Sequence, residues 1–293
     1  MPFDKRRPLN RNNKKGNKFD GKQRAPKQET VNVEPDSEQI ATDVADDIIY
    51  GRRPLIEALK GERSFNKILI AKGTKGSSFI SELIDLSRSK KIPVQEVDKA
   101  VLDNIIGSVN HQGVAGYVAA INYVEVQDII DLAKSKNEDL FVVITDGIMD
   151  PQNLGSIIRT ANACGAHGVI VPLRRGAQVS SAVVRASAGA AEHTLVARTS
   201  NISQAIELLK KSGAWVIGTS LSAEKFHYDN DLTGSLAFVI GNEGKGLSRL
   251  VEERCDFTVK IPMCAEMGSL NAGVAWGIIA YESLRQRIKK DGK

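Results

Sequence analysis

Asn153 and Arg159 stand six positions apart in the run Asp150-Pro151-Gln152-Asn153-Leu154-Gly155-Ser156-Ile157-Ile158-Arg159-Thr160-Ala161. A carboxamide and a fixed cation, in a segment with few other charges, are groups a scaffold helix does not need; together they can hydrogen-bond a ligand and hold an anion. The rest of the run is ordinary helix: Leu154, Ile157, Ile158 and Ala161 fall on one face, and Gly165 closes the pattern as a left-handed cap. Phe141-Val142-Val143-Ile144, just upstream, reads as a buried strand. The pair therefore sits where a strand edge turns into a helix, the place where α/β proteins put chemistry.

Two caps fit that helix. If Asp150 caps and Pro151 is the first helical residue, Asn153 and Arg159 lie about 240° apart around the axis and point in different directions. If Asn153 caps, it stays near the mouth of the site and Arg159 reaches the same region from a turn and a half further on. We adopt the second arrangement as the expectation.

Two more loops carry polar groups. Gly241-Asn242-Glu243-Gly244-Lys245-Gly246 follows an apolar strand but is neither G-x-G-x-x-G nor G-x-x-x-x-G-K-[ST], so a pyrophosphate or triphosphate cradle is poorly supported. Its glycines still let a ligand approach the backbone, and Glu243 is a carboxylate presented between them. After a strand at Phe257 to Ile261 come Pro262 to Gly268, then Ser269-Leu270-Asn271 opening a long helix with Leu270, Val274, Ile278 and Tyr281 on one side. Ser269 fits the N-cap and Asn271 the first turn, so polar groups and free N–H groups converge there. Gly273 and Gly277 give this helix a smooth face for close contact within the chain or across a dimer.

The elements that must position these loops alternate. Strands are expected at Leu140 to Thr145, Val169 to Pro172, Trp215 to Thr219, Leu236 to Ile240 and Phe257 to Ile261, with helices around 153–163, 179–188, 202–212 and 246–254. That is a parallel, doubly wound sheet, whose ligands sit at the strand C-terminal edges. A smaller α/β unit precedes it, with helices at Arg52 to Lys60, Ser77 to Lys90 and Lys99 to Ile106 and strands at Lys67 to Ala71, Val94 to Val97 and Val114 to Ile121. In the turn before its last strand, His111-Gln112-Gly113 either hydrogen-bonds a nucleotide or is a satisfied turn. The expected division is an arm at 1–46, a small domain at 47–123, a linker at 124–139 and the larger domain at 140–293.

Composition narrows the class. The 293 residues are 42% hydrophobic, enough for two cores. With no run near the roughly 20 apolar residues of a membrane helix and no apolar signal core, a cytoplasmic location is expected. Cys164, Cys255 and Cys264 lack C-x-x-C spacing and read as reduced structural thiols, with neither zinc nor disulfides. The net charge of +5 is uneven. Residues 1–30 hold ten Lys or Arg against Asp4, Asp20 and Glu29, whereas 31–48 hold six acids and no base. A segment so polar reads as a disordered arm suited either to RNA phosphates or to solubility alone.

Taken together, DPQNLGSIIRTA, FVIGNEGKG and IPM followed by SLN resemble the SpoU family of RNA 2′-O-ribose methyltransferases, of the knotted SPOUT class. Residues 48–123, ending HQGVAGYVAA, resemble that family's N-terminal RNA-substrate-binding domain, a pairing similar to the branch acting on a guanosine of 23S rRNA. The resemblance implies an α/β fold with a deep trefoil knot holding S-adenosylmethionine, and a homodimer in which one subunit's Arg159 helps form the partner's site. It implies cofactor contacts from the backbone of Gly241, Ile261 and Leu270, with Thr219, Ser220 and Leu221 lining the adenosyl pocket. Asn153, Arg159, Glu243, Ser269 and Asn271 match its positions for catalysis and RNA placement, and no metal is required.

Methyl transfer from a sulfonium is an in-line displacement, so the protein must chiefly align a ribose 2′-OH and assist its deprotonation. A guanidinium gives up its proton only above about pH 12, so steering a phosphate or stabilising the developing alkoxide suits Arg159 at least as well as acting as the base. The chain departs from the pattern at Ala265 and Gly273, where a change in cofactor-loop flexibility is expected, and at Trp276, where a change in the dimer contact is expected. The alternative readings are a tRNA 2′-O-methyltransferase and a non-catalytic RNA-binding ribosome-assembly protein on the same scaffold.

Overall fold

The computed structural model describes residues 47–61, 63–74, 78–107, 109–264, 269–290 and 292. All of them belong to one unit of the chain, 38–293. The arm at 1–46 and the Ala265 difference lie outside the described residues.

The first part is a four-stranded sheet in the order β1-β4-β2-β3, from β1 (Ile48–Tyr50), β2 (Phe65–Ala71), β3 (Val94–Val97) and β4 (Val114–Val118). β4 runs antiparallel to both β1 and β2, while β2 and β3 are parallel. Side chains alternate along β2, so Ile68 and Ile70 face one way and Leu69 and Ala71 the other. The first pair packs with Leu55, Ile56 and Leu59 of helix α1 (Arg52–Lys60) and Ile80 and Leu83 of α2 (Ser78–Ser89). The second packs with Leu102 of α3 (Lys99–Ile106).

The second part is a seven-stranded sheet, parallel throughout, in the order β7-β6-β5-β10-β8-β11-β9. Its strands are β5 (Phe141–Asp146), β6 (Gly168–Pro172), β7 (Leu195–Thr199), β8 (Trp215–Thr219), β9 (Lys225–Phe226), β10 (Leu236–Gly241) and β11 (Phe257–Lys260). Both faces are covered, as a parallel sheet requires. Helices α5 (Pro151–Ala163) and α9 (Ala272–Lys290) contribute Leu154, Ile157, Ile158, Trp276 and Ile279 to one core. On the other face lie α4 (Val126–Lys136) and α7 (Ile202–Lys211). Two short helices, α6 (Ser181–Ala186) and α8 (Arg249–Glu252), complete the layers.

Residues 124–139, expected to be a linker, are built into the second sheet's core. Val126, Ile129, Ile130 and Ala133 are buried there at helical spacing, and Val124 exchanges backbone hydrogen bonds with Val196 and Arg198 beside β7. β7 and β9 were absent from the expected strand list; Leu195–Thr199 pairs with β6 along five residues.

The two sheets meet through specific bonds. Asn66 Nδ2 donates to the Val179 carbonyl at 3.1 Å, and Arg198 Nη1 to the Phe65 carbonyl at 2.7 Å. The Tyr123 hydroxyl accepts from Val179 N–H at 2.8 Å and donates to Asn66 Oδ1 at 2.9 Å, with the Arg198 guanidinium 4.4 Å from its ring centre. Burial pushes the Tyr123 phenol up to about 12, so it stays a donor at neutral pH. Asp47 Oδ2 accepts from the N–H and hydroxyl of Ser181, tying the first strand's approach to the start of α6.

Candidate active site

Asp150 caps α5: its side chain accepts from Gln152 N–H at 2.9 Å, and Pro151 takes the first helical position. The cap expected at Asn153 is thus corrected. Proline's fixed φ and missing N–H place it best at that first position, which leaves Asn153 inside the first turn. Asn153 is buried and Arg159 exposed, as their angular separation around the helix dictates.

Asn153 is the centre of a chain of amides. Its Nδ2 donates to Glu243 Oε1, while its Oδ1 accepts from Asn271 Nδ2 at 2.7 Å. Asn271 Oδ1 in turn accepts from the N–H groups of Gly273 at 3.0 Å and Val274 at 3.2 Å. Asn271 therefore caps α9, in place of Ser269, because it directly precedes the helix and its side chain accepts the first-turn N–H groups, while Ser269 lies two residues further upstream. Each amide is fixed by its neighbour, and three loops distant in sequence are joined. Glu243 Oε2 makes no bond to a described residue.

The glycine-rich loop is shaped by Asn242. Its backbone exchanges hydrogen bonds with Gly246, its Oδ1 accepts from Gly244 and Lys245 N–H, and its Nδ2 donates to the Gly147 carbonyl. A Cβ on Gly241 would lie 2.4 Å from the Gly246 carbonyl carbon, so only glycine lets the loop fold back there. Asp146, ending β5, accepts from Ser248 N–H at 2.7 Å and anchors the far end of the loop.

These loops enclose a cavity of about 340 Å³ at the C-terminal ends of β8, β10 and β11. Thr219, Ser220, Leu221, Gly241, Ile261 and Leu270 all line it, and so do Glu243 and Ser269. Its size falls in the range of small-molecule sites, and its mixture of hydroxyls, backbone groups and apolar walls fits a nucleoside bearing a charged sulfonium arm. Asn153 and Asn271 stand behind it through Glu243. Arg159 does not join them: it makes no hydrogen bond or ion pair with a described residue.

Trp276 is fully buried, its Nε1 donating to the Ile157 carbonyl at 3.1 Å and its ring 5.7 Å from that of Phe238. The expectation that it alters a dimer contact is corrected; it locks α9 onto α5 inside one chain. A Cβ on Gly273 would lie 2.6 Å from Ser156 Oγ, so this glycine also serves the contact of those two helices. Gly277, by contrast, faces open space beside exposed Val274, Ile278 and Tyr281.

Of the thiols, Cys164 is buried and Cys255 partly so, and burial raises them to about 11 and about 12. Cys264 is exposed, unlike the structural thiol expected, because it lies on the loop after β11. Sequence reasoning missed Asn242 and Asp146. Their signal was present as polar residues at two strand ends, but nothing local indicates which backbone groups they reach.

The SpoU rRNA Methylase family profile matches residues 140–281, and the profile for RNA 2′-O ribose methyltransferase substrate binding matches 48–124. A Bacillus subtilis (strain 168) protein assigned to the TrmH family of tRNA/rRNA methyltransferases is 43% identical over 242 residues, 82% of this chain and 96% of that protein. The crystal structure of the SpoU methyltransferase AviRb from Streptomyces viridochromogenes in complex with AdoMet aligns over 86% of this chain and 98% of its own, with 26% identity and a TM-score of 0.55. An AdoMet-bound rRNA methyltransferase from Sinorhizobium meliloti aligns over 84% and 94%, with 25% identity and a TM-score of 0.53.

Proposed function

The chain belongs to the SpoU methylase family and is an S-adenosylmethionine-dependent RNA 2′-O-methyltransferase; from that premise we propose that its substrate is ribosomal RNA, on a guanosine of 23S rRNA. The observation that carries the choice of rRNA is the additional four-stranded sheet, matched by the substrate-binding profile and bonded to the catalytic sheet through Tyr123, Asn66 and Arg198. We assign the domains as 47–123 for RNA and 140–293 for methyl transfer, the latter with a trefoil knot.

S-adenosylmethionine supplies a methyl group on a sulfonium, open to in-line attack by an oxygen. Thr219, Ser220 and Leu221, with the backbone of Gly241, Ile261 and Leu270, would hold it in the cavity they line. Asn153 and Asn271 fix the Glu243 carboxylate, whose free Oε2 accepts a hydrogen bond from the incoming ribose. Ser269, at the rim, positions the nucleotide. Arg159 faces away from this set in its own chain, so it completes the site of a second subunit, holding an RNA phosphate or the developing alkoxide. The exposed face of Val274, Ile278 and Tyr281 beside Gly277 supports a homodimer.

The test is transfer of labelled methyl to unmodified 23S rRNA fragments and, in parallel, to bulk tRNA, with the product mapped by resistance to alkaline cleavage. Label on an rRNA guanosine is the expected result. Label on tRNA alone would overturn the substrate assignment.

A further inference from the structure

The turn His111-Gln112-Gly113 is satisfied within the chain: His111 is 3% exposed, its Nδ1 accepts from Gly113 N–H at 3.0 Å, and its Nε2 lies 2.9 Å from Asp103 Oδ1. The loop Leu173-Arg174-Arg175-Gly176-Ala177-Gln178, between β6 and α6, is not. Arg174 and Arg175 are exposed and make no hydrogen bond or ion pair with a described residue. We propose that these two arginines are positioning residues for methyl transfer: they hold the phosphates flanking the target ribose, so that its 2′-OH meets the methyl group. This deepens the reading above and rests on it only for RNA being the substrate.

The loop joins the small sheet to the loops around Glu243. On one side, Ala177 N–H donates to the Ile148 carbonyl at 2.7 Å, two residues before the Asp150 cap of the helix that carries Asn153. On the other, Val179 N–H donates to the Tyr123 hydroxyl at 2.8 Å, and the Val179 carbonyl accepts from Asn66 Nδ2 at 3.1 Å and Ala120 N–H at 3.2 Å. In the large sheet β6 adjoins β5, and β5 adjoins β10. The arginine loop and the glycine-rich loop therefore leave strand ends two spacings apart, roughly 10 Å. An RNA chain held by the small sheet and offering a ribose to Glu243 passes this edge.

The base of the loop is fixed, and its shape is costly. Gln178 Nε2 donates to the Pro172 carbonyl at 2.7 Å and the Gly176 carbonyl at 3.2 Å, while Gln178 Oε1 is buried with no partner among the described residues. Arg175 has φ 60°, a left-handed backbone that glycine adopts more cheaply than any long side chain. Such costs persist only where the surroundings impose them, and they collect at working sites. Here they present a pair of cations. The carboxylates beside the bonded segments, Asp150 and Asp47, already accept the N–H groups of Gln152 and Ser181. A planar guanidinium fork grips a phosphate through two parallel bonds, which fixes orientation as well as charge.

The experiment measures single-turnover methyl transfer with the full chain in saturating excess over an unmodified 23S rRNA fragment, together with RNA and cofactor affinity. It compares wild type, Arg175→Gly, Arg174→Ala/Arg175→Gly and Arg174→Lys/Arg175→Lys. Arg175→Gly removes a cation and relieves the left-handed backbone, so its melting temperature should equal or exceed that of wild type, and slower transfer in it is not loss of fold. The alanine–glycine double variant should transfer methyl about tenfold more slowly even at saturation, with cofactor affinity unchanged and RNA affinity reduced less than the rate. The lysine pair keeps both charges and should recover most of the rate. A wild-type rate at saturation in the alanine–glycine variant would overturn the proposal, and so would a change in its oligomeric state, which would make the arginines a subunit contact. A wild type that labels tRNA and not rRNA would sink the substrate assignment above, and the same comparison on tRNA would still decide the arginines.

Discussion

The cavity at the edge of the large sheet and the arginine loop at 173–178 are built on opposite principles. In the first, uncharged amides hold one carboxylate through bonds that run from the glycine-rich loop to α5 to the start of α9. In the second, one glutamine braces a short loop, and two long cations reach out from it into water. Chemistry at a 2′-oxygen tolerates little misplacement, so its groups are preorganised by neighbours. Guiding a charged polymer needs reach and charge, so its groups are left free on a fixed base.

Asn153→Asp is the sharpest way to break that contrast. It keeps the shape, loses the donor to Glu243 and sets two carboxylates against each other. Turnover should fall on the order of 100-fold or more with the fold intact, as when one preorganised donor is removed from an active site; a drop of only a few-fold would mean that the amide chain is packing. Arg159→Ala should abolish methylation while cofactor affinity, read by calorimetry, is largely kept, and mixing it with Asn153→Asp should restore activity through mixed dimers. Cofactor affinity falling in parallel with activity would reject the assigned role, and no rescue would place Arg159 in its own chain's site.

Gly241→Ala tests the cavity wall. Its Cβ must displace the Gly246 backbone, so cofactor affinity should drop at least tenfold, about 1.4 kcal/mol, with melting temperature much less affected. A single Arg174→Ala change on the arginine loop should, in contrast, leave cofactor affinity as it is and slow single-turnover transfer by a factor that fades with added salt.

The smallest effect is expected where the two sheets join. Tyr123→Phe strands the Val179 N–H and Asn66 Oδ1, at a cost of about 1–3 kcal/mol in stability by denaturant titration. The folded phenol titrates near 12 against about 10 in the unfolded chain. Its contribution is therefore complete below pH 10 and is lost as pH rises toward 12. Wild type should show that alkaline slope, and the variant should lack it.

Much of this is legible in the order of residues alone. Apolar periodicity gave α5 and α9, and β-branched runs gave the strands of the sheet centre, because burial on both faces leaves a continuous apolar signature. β7 was not legible: Leu195–Thr199 ends in Arg198 and Thr199 and becomes a strand because the open edge of β6 pairs with it. Residues 124–139 read as a linker because polar residues surround the short helical stretch at Val126 to Ala133. Only the presence of a sheet beneath it makes Val126 and Ile129 core.

Local periodicity and side-chain chemistry are enough for the fold class, the three loops and the residue types they carry. Tertiary structure decided which groups meet. Asn153, Glu243 and Asn271 are 90 and 118 positions apart along the chain in their two contacts, and no local rule ties them. It also decided that Arg159 faces away, because the cap at Asp150 sets the helix phase, and that Trp276 is core, because α9 lies close against α5, with Gly273 beside Ser156 and the indole bonded to the Ile157 carbonyl. Helix phase and helix approach are fixed by bonds to partners that the linear sequence does not place side by side.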